Sequence, residues 1–151
     1  MKITKRGEYA LRALLALSDV YGQKTLSLRK ISEHEELPVK FLEQIMMILK
    51  RHDLIQSIKG KHGGYSLSRP PAAITIGEVI RAVDGPLAPI ATAHEIERRI
   101  QKEERHAGLY EALLDVRNAI SELLDHKSLA DICTRSRELR YSGQTRQMYY
   151  I

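Results

Sequence analysis

The dipeptide Leu37-Pro38 separates two short segments of helical periodicity, and that break constrains the fold of this chain more than any other feature. Proline has no backbone N–H, a loss that costs nothing at the start of a helix but breaks one in its interior. One helix must therefore end before Leu37 and another begin near Val39. Ahead of the break, Ser27 is placed to cap LRKISEHEE, with Leu28 and Ile31 as apolar anchors. Beyond it, Leu42, Ile45, Met46 and Leu49 recur at helical spacing from about Val39 to Arg51. A longer helix precedes both. Thr4 caps a run extending to about Tyr21, Gly22 ends it, and Tyr9, Ala10, Ala13, Leu14 and Leu17 form its inner face. Together the three make a trihelical helix-turn-helix pattern.

A hairpin follows. Residues 54–58, LIQSI, and 65–67, YSL, read as strands, and the glycine-rich, basic stretch KGKHGG separates them. Glycines permit positive φ and close backbone approach at a hairpin tip, and Lys59, Lys61 and His62 set cations among them. Such a tip suits the approach to a phosphate backbone, so the expected fold class is mainly α with a small β wing: a winged helix-turn-helix. Further on, Pro70-Pro71 ends the second strand, and Thr75 caps IGEVIRAV with Glu78 in a capping-box position. Gly85-Pro86 closes that helix, and Leu87, Ala88 and Ile90 are apolar positions of an extended connector.

Charge is distributed along the chain as this pattern demands. Residues 1–65 carry 12 Lys/Arg against 7 Asp/Glu, which is the whole net charge of +5; the remainder is balanced, 2 against 2 over residues 66–93 and 10 against 10 over residues 94–151. A basic head points to a polyanion partner, and double-stranded DNA is the one that a helix-turn-helix fits. On the third helix, Lys40, Glu43 and Gln44 face away from Leu42 and Ile45. Gln44 suits adenine, Glu43 can accept from the cytosine amino group, and Lys40 suits phosphate or guanine. The alternative for Glu43 is a solvated helix surface. Lys5, Arg6, Ser27, Arg29 and Lys30 are expected to hold the DNA backbone, with Lys59 and Lys61 adding wing contacts.

The second half has another task. Residues 94–106 are polar, with only Ile96 and Ile100 at four-residue spacing, and periodicity leaves helix and disorder both open. From there Leu109, Leu113, Val116, Ile120 and Leu123 form an apolar stripe through about Asp125. A stripe of this kind covers the chain's own head or pairs with a second copy. Pairing is the favoured reading, because palindromic DNA sites are matched by two-fold dimers. Ser128 is expected to cap a final short turn, LADI, and residues 134–151 read as a polar tail with an apolar end, MYYI. The expected organisation is a DNA-binding unit over residues 1–85, a connector and dimerisation helix over 86–133, and a tail over 134–151.

Several classes are disfavoured. No nucleophile-base pair or Walker-spaced phosphate loop is present, so no enzyme is expected. No apolar run reaches membrane-spanning length, and the N-terminal stretch lacks a signal-peptide cleavage pattern, so the expected location is cytoplasmic, with no membrane partner. Cys133 is the sole cysteine, which removes intrachain disulfides and all-thiolate metal sites within one subunit. No metal or cofactor is expected. Two alternatives stay open: an adaptor using the arm and tail, and a redox-responsive regulator, should Cys133 lie exposed beside Arg135 and Arg137.

Taken in order and spacing, MKITKRGEYALRALLALS, LPVKFLEQIMMIL, SIKGKHGGYSLSRPP, ITIGEVIRAVDGP and the later SLADI resemble the Rrf2 family of bacterial transcriptional regulators over nearly the whole chain. The resemblance implies a dimer with a winged head and crossed long helices, often a repressor of imperfect palindromes. Many members hold an iron-sulfur cluster with three cysteines between the DGP motif and the long helix, a stretch that has none here; Glu104 stands at one such position. Glu8, His34, His94 and His106 do not make up the deficit and are read as surface, cap or packing residues. One departure is Asp53, where members commonly carry glycine; aspartate tolerates the same left-handed backbone. The cluster-free type that this chain resembles represses cysteine metabolism and takes O-acetylserine thiol-lyase as partner. Tyr150 and Ile151 are the candidate partner-binding residues, a terminal carboxylate beside an apolar side chain suiting an amino-acid pocket; the alternatives are a tail packed back on its own dimer and a frayed end.

Overall fold

The computed structural model describes residues 3–87, 92–102 and 104–149, with side-chain surroundings given to Gln144 except at Glu104. Among these residues, seven α-helices and one two-stranded sheet follow in the order α1 (Lys5–Asp19), α2 (Leu28–Glu35), α3 (Val39–Arg51), β1 (Ile55–Ile58), β2 (Gly64–Leu67), α4 (Ile76–Asp84), α5 (Ala93–Lys102), α6 (Ala107–Asp125) and α7 (Leu129–Tyr149). The fold is thus mainly helical with a small β wing.

The head forms as its caps dictate. Thr4 Oγ1 accepts from Gly7 N at 3.0 Å, Ser27 Oγ from Lys30 N at 3.2 Å and Thr75 Oγ1 from Glu78 N at 3.2 Å, each satisfying a free donor in a first helical turn. The Glu78 carboxylate does not complete a reciprocal box; it accepts from the Arg69 guanidinium instead. α1 stops at Asp19, two residues short of the expected Tyr21, and Gly22 lies beyond it with φ of 75°. Between α2 and α3 the chain turns through Glu36, whose φ of 53° is left-handed. Asp53 takes a φ of 54° after α3, the conformation for which glycine is the easy choice. Ala10, Leu14, Leu17, Ile31, Leu42, Ile45, Met46, Leu49 and Leu54 bury one core, which Ile74, Val79 and Val83 close from the α4 side.

β1 and β2 pair antiparallel, with Ile55 opposite Leu67 and Ile58 opposite Gly64. A third segment joins them: Leu26 N donates to Tyr65 O at 3.1 Å and Tyr65 N to Leu26 O at 2.7 Å.

Beyond the head, the segment whose order was open is helical. Thr92 and Glu95 start α5 with a reciprocal box in which the Glu95 carboxylate accepts from Thr92 N and Oγ1 at 2.8 and 2.9 Å, while Glu95 N donates to Thr92 Oγ1 at 3.3 Å. These bonds, backbone first, hold the Glu95 carboxyl below the usual range. α5 packs on α6 as a helical hairpin. The short final turn is corrected: α7 runs for 21 residues, through most of the expected tail. Ser128 and Asp131 start it with a second reciprocal box, at 2.8 to 3.1 Å. α7 then continues without proline, and because it is polar almost all round, it carried no periodic apolar signal.

Candidate nucleic-acid interface

The backbone of the wing and the start of α2 enclose a cleft of about 600 Å³ lined by Gly22, Gln23, Lys24, Thr25, Ser27, Lys30, Lys61, His62, Gly63 and Ser66. Ser27, Lys30 and Lys61, expected at the interface, therefore meet in one place. Ser27 Oγ is engaged in the α2 cap. Lys24 and Gln23 were missed; they sit in the turn ahead of α2, outside any periodic element, and only the proximity of the folded wing reveals them.

The lysines of this face are free for a polyanion. Lys24, Lys30, Lys40, Lys59 and Lys61 are exposed and form no ion pair among the described residues. Arg29 instead pairs with Glu33 at 2.8 Å across one turn of α2, and the hydrogen bond it donates to Glu33 raises the guanidinium pKa. Lys5 pairs with Glu8 at 3.1 Å. Arg6 lies 3.7 Å from Asp84 on α4, the same carboxylate that accepts from Thr4 Oγ1 at 2.5 Å. The structure thus ties Arg6 to the junction of α1 with α4, and neither it nor Lys5 lines the cleft.

On α3, Lys40, Glu43 and Gln44 are all exposed, opposite the buried Leu42, Ile45, Met46 and Leu49. Met47 continues that outward row with 64% of its surface exposed. Lys50 Nζ donates to Ser57 Oγ at 3.2 Å, linking the end of α3 to β1.

The arm presents a second surface. Leu109, Val116 and Leu123, seven residues apart, are 57%, 55% and 67% exposed, whereas Leu113 and Ile120 are half-buried. An apolar row left open in this way calls for a partner surface. Tyr150 and Ile151 lie outside the described residues.

Cys133 is not the exposed thiol a redox site requires. It is 7% exposed near the start of α7, and burial, followed by the negative charge of Asp19, pushes its pKa up despite the nearby Arg137.

Unpaired lysines gathered at a wing and on an exposed polar helix face are features of a winged helix-turn-helix of the transcriptional-regulator class. The pattern of the Rrf2 family, described as an iron-dependent transcriptional regulator, matches residues 3–135, and the chain belongs to that family. It is 31% identical over all 151 residues, and over the full length of both chains, to the HTH-type transcriptional regulator CymR of Bacillus subtilis strain 168. The solved structure of that protein, the global cysteine regulator of B. subtilis, is similar with a TM-score of 0.76 and 31% identity, covering 89% of this chain and 98% of the other. The structure of T. potens IscR is similar with a TM-score of 0.70 at 29% identity, covering 92% and 90%. These relatives are named as regulators, not enzymes.

Iron does not fit the donors among the described residues. The sole thiol, Cys133, is buried on α7, and among the described residues no three His, Cys, Asp or Glu side chains are grouped so as to hold a metal ion. The arm helices offer no thiolate for a cluster.

Proposed function

We propose that this chain is a homodimeric, sequence-specific DNA-binding regulator, acting in the cytoplasm as a repressor on a palindromic operator of sulfur or cysteine metabolism. The observation that carries this reading is the convergence of Lys24, Lys30 and Lys61 on one cleft, in a head whose α3 also exposes Lys40, Glu43 and Gln44. Phosphate contacts supply affinity and register, while Lys40, Glu43 and Gln44 supply the reading of base edges. The open Leu109, Val116 and Leu123 row supports pairing of two arms, which sets two heads on two half-sites. The metabolic assignment rests on the similarity to the B. subtilis cysteine regulator. With iron unsuited to the described donors and Cys133 buried, a protein partner such as O-acetylserine thiol-lyase is the proposed route for the signal, received at Tyr150 and Ile151.

Selection of duplexes from a random pool by the purified protein, followed by binding measured across a salt series, tests the reading. An enriched two-fold sequence bound with a steep negative salt slope is expected. Absence of salt-dependent binding to any duplex refutes it and leaves the arm and tail as surfaces of an adaptor. For the partner, removal of Tyr150 and Ile151 is expected to abolish the heat of association with the enzyme.

A further inference from the structure

Isolated two-stranded hairpins are marginal in water, and this wing has strands of only four residues. Ile58, at the tip end of β1, is 45% exposed, so no core packing holds the tip. Two other contacts do. The Leu26–Tyr65 backbone pair fixes the tip-proximal end of β2, and Gly64 makes this possible, since a Cβ there would stand 2.7 Å from Leu26 O. The tip itself is held by one side chain: Thr25 Oγ1 lies 2.9 Å from His62 O and 3.1 Å from Gly63 O, donating its single proton between them. Among the described residues no other side chain hydrogen-bonds to residues 59–64. The tight turn at Gly60 and Gly63, closed by Gly63 N donating to Gly60 O at 3.0 Å, passes that anchor on to Lys61.

We propose that Thr25 is the positioning residue of the wing: its hydroxyl holds the tip over the start of α2, so that Lys61 joins Lys24 and Lys30 on the phosphodiester backbone. The inference rests on the DNA-binding reading and adds to it a residue that acts through the wing. A lysine on a loose tip must be ordered upon binding, and the entropy of that ordering subtracts from its phosphate contact. A lysine on an anchored tip is already in place. The bond to His62 O is exposed and that to Gly63 O only part-buried, so loss of the hydroxyl leaves no fully buried group unsatisfied and the fold survives.

The test compares Thr25→Val and Thr25→Ser, each with and without Lys61→Ala, in binding to a selected duplex across a salt series. Thr25→Val is expected to weaken binding roughly fivefold and to lower the salt slope by up to about one. Lys61→Ala then adds little, although in the parent it lowers the slope by about one. Thr25→Ser, which keeps the donor, restores parental binding. Faster amide exchange at the wing tip of Thr25→Val, with an unchanged far-UV spectrum, separates a loosened tip from a damaged head. Parental affinity and slope in Thr25→Val, or an equal effect of Lys61→Ala in both backgrounds, overturns the role of Thr25. A parent that binds no duplex fails at the earlier step and refutes the DNA reading itself.

Discussion

The two guanidinium nitrogens of Arg81 on α4 meet the two carboxylate oxygens of Asp125 at the end of α6, at 2.7 and 2.6 Å. This parallel pair joins the head to the arm. Gly77, one turn earlier on α4, leaves the room for it, since a Cβ there would strike the Asp125 carboxylate. Two backbone bonds reinforce the joint, Ile76 N to Lys127 O at 2.8 Å and Leu129 N to Ile74 O at 2.9 Å. The far end of α4 carries Asp84, bound by Thr4 and Arg6 of α1. One short helix thus connects the arm with the first helix of the head.

The joint makes stability depend on acid in a defined direction. The hydrogen bonds from Arg81 hold the Asp125 carboxyl below its ordinary value. A carboxyl depressed in the folded state contributes stability above its unfolded pKa, near 3.9, and loses it as pH falls through the folded value. Both side chains are about two-fifths exposed, which limits the contribution to about 0.5–1 kcal/mol. Urea unfolding should find Asp125→Asn less stable by that amount from pH 5 to 7, with the difference shrinking below pH 4. A difference independent of pH would contradict the pair.

The arm should separate into monomers when its open row is charged. Val116 is the middle of the exposed series Leu109, Val116 and Leu123, and placing a carboxylate there buries an unpaired charge at any interface the row makes. Sedimentation equilibrium is expected to give a dimer for the parent and a dissociation constant raised more than about 100-fold for Val116→Asp, at several kcal/mol per buried charge. The far-UV spectrum should stay unchanged, because Val116 takes no part in the core of the head. A Val116→Asp dimer of parental strength would move the interface elsewhere.

Cys133 should be inert. With its thiol buried and its pKa raised by burial and by Asp19, little thiolate exists near neutral pH. Alkylation by iodoacetamide at pH 7 is expected to run at least about tenfold slower than for a free cysteine, and peroxide should leave DNA binding unaltered in parent and Cys133→Ser alike. The serine variant should lose about 1–2 kcal/mol of stability by setting a hydroxyl in an apolar site. Rapid alkylation of the folded protein would restore the redox alternative.

Legibility followed the physics of each segment. α3 announced itself through Leu42, Ile45, Met46 and Leu49 and through Pro38 ahead of it, because a half-buried helix must repeat its apolar residues with its own period. Thr4, Ser27 and Thr75 were readable as caps for the same local reason. α7 was not, since beyond Cys133 its described side chains are exposed and nothing selects an apolar period. The pairing of Arg6 with Asp84, and the meeting of Lys24 with Lys61, cross 78 and 37 positions of chain and depend on tertiary packing that no local pattern encodes. Composition could show that the head was basic, but not which of its cations were already neutralised.

Glu43 is the sharpest probe of how sequence would be read. It lies exposed on α3 between Lys40 and Gln44 and takes part in no ion pair among the described residues, so its charge stands unneutralised on the face proposed to meet the polyanion. A carboxylate near phosphates is repelled unless a donor compensates, and the cytosine amino group in the major groove is such a donor. Removal of the carboxylate should therefore act differently on different sites. On duplexes with cytosine at the read position, Glu43→Ala loses a hydrogen bond and binding should fall by a factor of about 5–10. On duplexes with another base there, the repulsion disappears with nothing lost, and binding should hold or tighten. Discrimination among operator variants measured by competition should narrow accordingly, by about 1–2 kcal/mol. An equal change on every site would make Glu43 a solvated surface residue and leave Gln44 and Lys40 to carry recognition.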